Sequence, residues 1–492
     1  MLRFFITSIL FNLIFSQLNN CIPDLDSREI VRDQFTFPET IQSENFVIHF
    51  TTSNVDSQFV NGQWFSLQSN FGYAQSISDH LENALVEYQN QGWVDIPPDC
   101  DESIVDINSP EHCINYGGNS LYDVYISNDA VGMVVPENPY PVPPYTGGYT
   151  SYMKISTLLN QHEILPSWNY HVIAHELHHS IQLRYGYSVS GEPGNYMYNG
   201  WFFEQSATYM ENVIYPESFH LRIMLSNCDV VTPLTYPEYN IDYPSEIYPY
   251  RSALWQKFLV ESYADSSIVK NLWENYGIQY SSGDIVSMFP IYDNAVQQST
   301  QQNYNLSDAY RQYAIWRYFT GERSIPNMYF NESSSYCTSN ATTDFIGEFF
   351  LPSNKGACKL LEIPSSTSEL NIYSDQSEYL SFSHLIINND NSVQQTLIEP
   401  ENNIYHFEPN EDATNVLIAN SNFLDIDNFD LQFEISNNLI GDLNSDLVIN
   451  VIDAVILVEL ILNSSYTFDA DINMDNFLDI LDLVQLINLI LE

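Results

Sequence analysis

Apolar positions along the chain fall into three successive patterns. From about Asn45 to Arg323, short strand-like runs give way to long helical ones. Phe46-Val47-Ile48-His49-Phe50 and Tyr122-Asp123-Val124-Tyr125-Ile126 predict buried strands. Helical spacing appears over Ile77 to Tyr88, Trp168 to Tyr185, Trp201 to Ile214, Ala253 to Tyr263, Ser267 to Tyr276 and Asn305 to Phe319. Pro-rich stretches between them, such as Pro136 to Pro144, read as loops. Strands early and helices late predict an α+β domain. From Glu362 to Ile435 the runs are short and alternating, among them Glu369 to Tyr373 and Asp430 to Ile435, which predicts a small β-sandwich. Gly441 to Glu492 is an internal repeat of an acidic loop and an apolar helix, Ala454 to Leu462 and Leu483 to Leu491. The expected organisation is therefore multidomain: an α+β domain over 45–335, a β-sandwich over 336–438 and a small all-α repeat over 439–492.

Ahead of these lies Met1-Leu2-Arg3, then the apolar run Phe4 to Phe15 and Ser16-Gln17. That is the form of a secretory signal over 1–16, followed by an N-terminal segment over 17–44. The run is too short to span a membrane, and the apolar C-terminus is interrupted by Asp482, Gln485 and Asn488. A soluble, exported protein is expected.

Charge narrows the partners. The 492 residues carry 63 acids against 14 Lys and Arg, a formal net charge of −49. Sequence-independent nucleic-acid binding needs a cationic footprint, and an anionic membrane surface needs the same, so both are disfavoured. A hydrophobic fraction of 44% separates the chain from acidic disordered tails. Six cysteines suit an oxidising compartment. Proximity suggests Cys100 with Cys113 and Cys337 with Cys358, leaving Cys21 and Cys228. Cys21 as a lipid anchor is disfavoured, because Leu18-Asn19-Asn20 lacks the small residues such a site needs.

The chemistry concentrates in Ala174-His175-Glu176-Leu177-His178-His179-Ser180-Ile181-Gln182. His175 and His179 are four residues apart, so on a helix both imidazoles meet one cation while Glu176 projects beside them. A mononuclear zinc site needs a third ligand and an open position. Glu204, on the next helical run, is the candidate third ligand. Glu211 lies two turns further along the same face and is a candidate acceptor for the other N–H of a ligand histidine. His178 is off the ligand face, and His171, one turn before His175, could reach the pocket, with an ordinary polar contact the favoured reading. Tyr209, Tyr248 and Tyr250 are candidate donors to an oxyanion.

The pattern A-H-E-x-x-H-x-x-Q followed by W-x-x-E-x-x-A-x-x-x-E resembles the gluzincin metallopeptidases, in particular secreted bacterial ones, over roughly 45 to 330. The resemblance implies zinc on His175, His179 and Glu204, with Glu176 as the general base that passes the proton to the leaving amine. One departure stands out. Thr208 occupies the place four residues after Glu204 where the thermolysin type has a ligand-orienting Asp.

The C-terminal repeat places oxygen donors at matched positions of two loops, 29 residues apart. The first would use Asp442, Asn444, Asp446, the Val448 carbonyl, Asn450 and Asp453; the second Asp471, Asn473, Asp475, the Phe477 carbonyl, Asp479 and Asp482. Leu447 and Asn476 stand where calcium loops favour Gly, so the second loop is expected to bind more tightly. This segment resembles a type I dockerin, which implies a cohesin-like scaffold partner, with Val451-Ile452 and Ile480-Leu481 as the positions to test. The reading is a secreted zinc metallopeptidase acting on polypeptides, with calcium as a second cofactor and no nucleic-acid partner. The rivals are a non-catalytic adhesion protein with a structural metal site, and a zinc hydrolase of non-peptide substrates. Structural sites are closed and do not need a glutamate between two ligands, which favours catalysis.

Overall fold

A computed structural model describes residues 32–491 except 61, 99–118, 129, 160–168, 188–198, 244, 246, 285, 353–354, 368–369, 423–429, 437–440, 445–447, 474 and 476. The expected leader, Cys21, Cys100, Cys113, Asp446, Leu447 and Asn476 lie outside the described residues. The chain divides into two compact units. Met1–Tyr236, Ile241–Ala309 and Phe319–Thr338 make the first, and Pro237–Asn240, Tyr310–Tyr318 and Ser339–Glu492 the second.

The first unit begins with β1 (Glu39–Gln42), β2 (Phe46–Phe50), the hairpin β3 (Ser57–Val60) and β4 (Gln63–Ser66), helix α1 (Phe71–Asn90), then β5 (Tyr122–Ser127), β6 (Gly132–Tyr140) and β7 (Gly148–Ser156). Helices follow: α2 (Tyr170–Tyr185), α3 (Gly200–Ile214), α4 (His220–Ser226), α5 (Tyr248–Arg251), α6 (Ala253–Tyr263), α7 (Ile268–Ser281) and α8 (Met288–Ser299); α9 (Leu306–Tyr318) has its residues from Tyr310 on in the second unit. The main sheet has the order β1-β2-β5-β7-β6. Strands β2, β5 and β7 are parallel, while β1 and β6 run antiparallel to their neighbours.

Both faces of the sheet are covered, which explains strands that are apolar nearly throughout. Phe46, Ile48, Val124, Ile126, Met153 and Ile155 are fully buried. On that face α1 and α2 are tied down, Tyr73 donating to the Ser156 carbonyl and Tyr122 sharing a hydrogen bond with Ser180. The opposite face carries Tyr125, Met133, Val135 and Tyr152, closed by Phe35 from the segment before β1. There Arg32 is ion-paired with Asp123 and Glu137, two carboxylates whose burial requires a cation.

Two expectations are corrected here. The stretch beginning at Pro136 is not all loop: Pro136 to Tyr140 complete β6, because that strand is the sheet edge, where a missing N–H is tolerated. Cys337 does not pair with Cys358. Its N–H donates to the Leu225 carbonyl at the end of α4, which brings it to Cys228, and the Cys228–Cys337 disulfide spans a separation of 109 residues. Cys358 is a buried thiol, 3.0 Å from the Arg317 guanidinium.

The second unit contains β8 (Gly347–Pro352), β9 (Cys358–Ile363), β10 (Leu370–Tyr373), β11 (Leu380–Ile387), β12 (Val393–Ile398), β13 (Ile404–Phe407), β14 (Thr414–Ser421) and β15 (Asp430–Ser436), then α10 (Val451–Asn463) and α11 (Ile480–Leu491). The strands form two antiparallel sheets, β13-β10-β15-β8 and β12-β11-β14-β9. Leu361, Phe382 and Leu417 of one share a core with Ile372, Phe407 and Phe433 of the other. Helices α10 and α11 have a smaller core of their own around Leu457, Ala470, Ile472 and Leu486. The molecule is thus multidomain and mixed α/β, and among the described residues there is no barrel and no helix long and apolar enough to cross a membrane.

Candidate metal centre

Helix α2 is buried at all but one of its 16 positions, so its histidines and glutamate are not the polar face of a surface helix. It ends at Gly186, whose φ of 150° and contact with Tyr280 both exclude a side chain; an added Cβ would meet the Tyr280 ring at 2.3 Å. Helix α3 packs against it. Gln205 donates to Ser252, and Gln256 to Ser206, which locks the rotation of α3 and turns Glu204 and Glu211 toward α2.

The result is a tight cluster of donors. His175 Nε2 is 3.0 Å from His179 Nε2 and 3.1 Å from Glu204 Oε2, and His179 Nε2 is 3.3 Å from Glu204 Oε2. A tetrahedral ion with bonds of about 2.0–2.1 Å separates its ligands by about 3.3–3.4 Å, so three atoms already lie close to the corners of such a site. Burial works against the Glu204 charge, but His179 and His175 outweigh it and hold its carboxyl well below the usual range.

Each histidine is oriented by its other nitrogen. His175 Nδ1 lies 2.7 Å from Glu211 Oε1, and since a carboxylate only accepts, that nitrogen carries the hydrogen and Nε2 keeps its lone pair. Thr208, fully buried, takes no part; the carboxylate missing at its position is supplied three residues later by Glu211. His179 Nδ1 is 2.7 Å from Gln182 Oε1, and Gln182 Nε2 donates to the Phe203 carbonyl. Gln182 was part of the recognised pattern without an assigned role. Its spacing of three from His179 is the signal that puts it on the same face.

Glu176 is 2% exposed and lies against Gly132, the first residue of β6; a Cβ there would stand 2.4 Å from Glu176 Oε1. Nothing local in the sequence links these two residues. Residues 146–318 match DUF6055, a family of unknown function. That match covers about a third of the chain and includes every donor named above. No curated protein matches the chain.

His178 stays off the ligand face, stacked at 5.4 Å on Tyr88 and edge-on to Trp93, and burial keeps its ring neutral. Of the three tyrosines, Tyr250 stacks on His175 at 5.6 Å. Tyr248 packs on Tyr243, and Tyr209, whose hydroxyl burial pushes up, has Glu261 as its nearest influence. His171 is more than an ordinary contact. It stacks on His220 at 3.9 Å, and His220 Nδ1 donates to Glu211 Oε2 at 2.5 Å. Burial raises the Glu211 carboxyl, but His220, His175 and His171 together bring it down to about 2.

The C-terminal loops are built differently. Asp453 Oδ1 accepts from the Leu443 and Asn444 N–H groups and Oδ2 from Asn450, whose own side chain caps α10 through Ile452. The second loop repeats this: Asp482 accepts from Asn473 and Asp479, and Asp479 from Leu481. Asp471 Oδ1 accepts from Asp475 N–H, and Asp475 from Phe477 N–H. Asp442, Asp453, Asp471 and Asp482 are buried, while Val448 and Phe477 are exposed. Among the described residues the converging His/Glu groups are both in the first unit, and the loop aspartates form none.

Proposed function

We propose that the protein is a secreted zinc-dependent metallopeptidase of gluzincin type, with a β-sandwich and a dockerin-like calcium module. One observation carries the reading: three donor atoms on His175, His179 and Glu204 lie 3.0 to 3.3 Å apart, next to a buried carboxylate that is not one of them. Two imidazole nitrogens and one carboxylate oxygen suit zinc, and three ligands leave a position open. When bound there, zinc supplies Lewis acidity toward a water and a substrate carbonyl.

The chain's own residues do the rest. Glu211 and Gln182 hold the Nδ1 hydrogens of His175 and His179, so that both Nε2 lone pairs face the same point. Glu176 accepts a proton from the attacking water and delivers it to the leaving amine, a role worth on the order of 10²–10⁴ in rate. Gly132 keeps the space that this carboxylate occupies. It also opens the edge strand β6, and an extended polypeptide is the substrate shape that a sheet edge recognises through its main chain.

The C-terminal repeats support docking on a cohesin-like scaffold. Val451, Ile452, Ile480 and Leu481, equivalent between the repeats, are each more than half exposed, and calcium on the two acidic loops would hold the helices that carry them. The enzymatic reading is tested by stripping zinc from the full chain in excess calcium. Cleavage of an unfolded polypeptide should be lost, and regained with zinc but not with magnesium. Cleavage that survives complete zinc removal contradicts it.

A further inference from the structure

Behind the metal centre lies a second group of donors. His171 from α2, Glu211 from α3 and His220 from α4 are each at most 4% exposed, and one ligand atom from each lies within 4.8 Å of the others. We propose that these three residues bind a second divalent transition-metal ion of zinc type, distinct from the one on His175, His179 and Glu204.

The arguments are chemical and conformational. The imidazole rings of His171 and His220 stack face to face with centroids 3.9 Å apart and an angle of 24°. Both rings and the Glu211 carboxylate converge from three different helices, and imidazole nitrogen and carboxylate oxygen are ligand types that zinc accepts. The donor set of two imidazoles and one carboxylate matches that of the first centre. Coordination through Nδ1 requires His220 to carry its hydrogen on Nε2 and the 2.5 Å contact with Glu211 Oε2 to open to the spacing of about 3.3 Å between two ligands of one ion.

The backbone also carries a cost at this point. Phe219 adopts a left-handed conformation, with φ 53° and ψ 22°, directly before His220. For a non-glycine residue that costs about 1–2 kcal/mol, and such strain gathers at functional positions. Here it separates a half-exposed Phe219 from an inward His220. The two centres would be joined by Glu211, one oxygen on the second ion and the other on the Nδ1 hydrogen of His175. A second ion would therefore hold α2, α3 and α4 together and steady a ligand of the first.

The test is zinc stoichiometry of the full chain, stripped with chelator, reloaded in excess calcium and freed of loose metal by gel filtration. The wild type should retain two equivalents. His220→Ala and His171→Gln should each retain one, as should the His175→Ala/His179→Ala double variant, with circular dichroism confirming that each is folded. His171→Gln keeps a polar group and guards against collapse of the pocket. One equivalent in the wild type that disappears in the His175→Ala/His179→Ala variant overturns this inference and leaves the proposed metallopeptidase centre standing. One equivalent that survives there and disappears in His220→Ala does the reverse. Two equivalents unchanged in both His220→Ala and His171→Gln also overturn it.

Discussion

In the first unit the candidate metal donors are side chains on packed helices, His175 and His179 on α2 and Glu204 on α3, each at most 6% exposed, and the two histidines are oriented by Glu211 and Gln182. In the C-terminal loops the donors are short acids and amides whose oxygens accept from the main-chain N–H groups of their own loop. The first arrangement is held by a hydrophobic core and should form without an ion. The second has little beyond the core around Leu457 and Leu486, and it sits in a stretch, 360–492, with 24 acids and no Lys or Arg. There a divalent cation, on the proposed reading, would contribute folding free energy directly, because it would offset charges that otherwise repel.

The comparison breaks most visibly on calcium removal. Chelating calcium while zinc is kept saturating should melt α10 and α11, read as lost helical ellipticity and protease cuts after about residue 440, with cleavage by the first unit unchanged. A C-terminus that stays folded without calcium removes the contrast. Asp453→Ala deletes an acceptor of three N–H groups and should cost about 1–3 kcal/mol in the melting of that segment alone. Glu211→Gln should weaken zinc binding about 10- to 100-fold, measured by chelator competition, without unfolding the unit. Gly132→Ala is the finest probe. It sets a Cβ 2.4 to 2.7 Å from Oε1, Cγ and Cδ of buried Glu176, so overpacking should cost about 1–3 kcal/mol with zinc content unchanged, while turnover falls about 10-fold or more through displacement of Glu176.

The parts legible in the sequence are those with a local period. The α2 histidines at a spacing of four, Glu204 and Glu211 at a spacing of seven, and the 29-residue offset of the acidic loops each put chemistry on one face or one loop. Strand β2 and helix α6 run over the residues that their periodicity indicates. What was not legible depends on contacts between distant segments. Gly132 meets Glu176 because β6 folds back beside β7 and under α2, a pairing that no window of sequence encodes. His220 reaches Glu211 through a turn at Phe219 whose left-handed conformation has no glycine to announce it. The disulfide is of the same kind: nearness in sequence favours Cys358 as the partner of Cys337, whereas Cys358 is buried in β9 and Cys337 bonds Cys228, 109 residues away.

The central claim is that Glu176 moves a proton beside an ion that it does not hold. Wild type and Glu176→Gln, loaded with zinc in excess calcium, can be compared in one experiment for bound zinc and for cleavage of an unfolded polypeptide. Equal zinc and a loss of cleavage on the order of 10²–10⁴-fold are expected. Zinc absent from the wild type, or cleavage preserved in the variant, would contradict it.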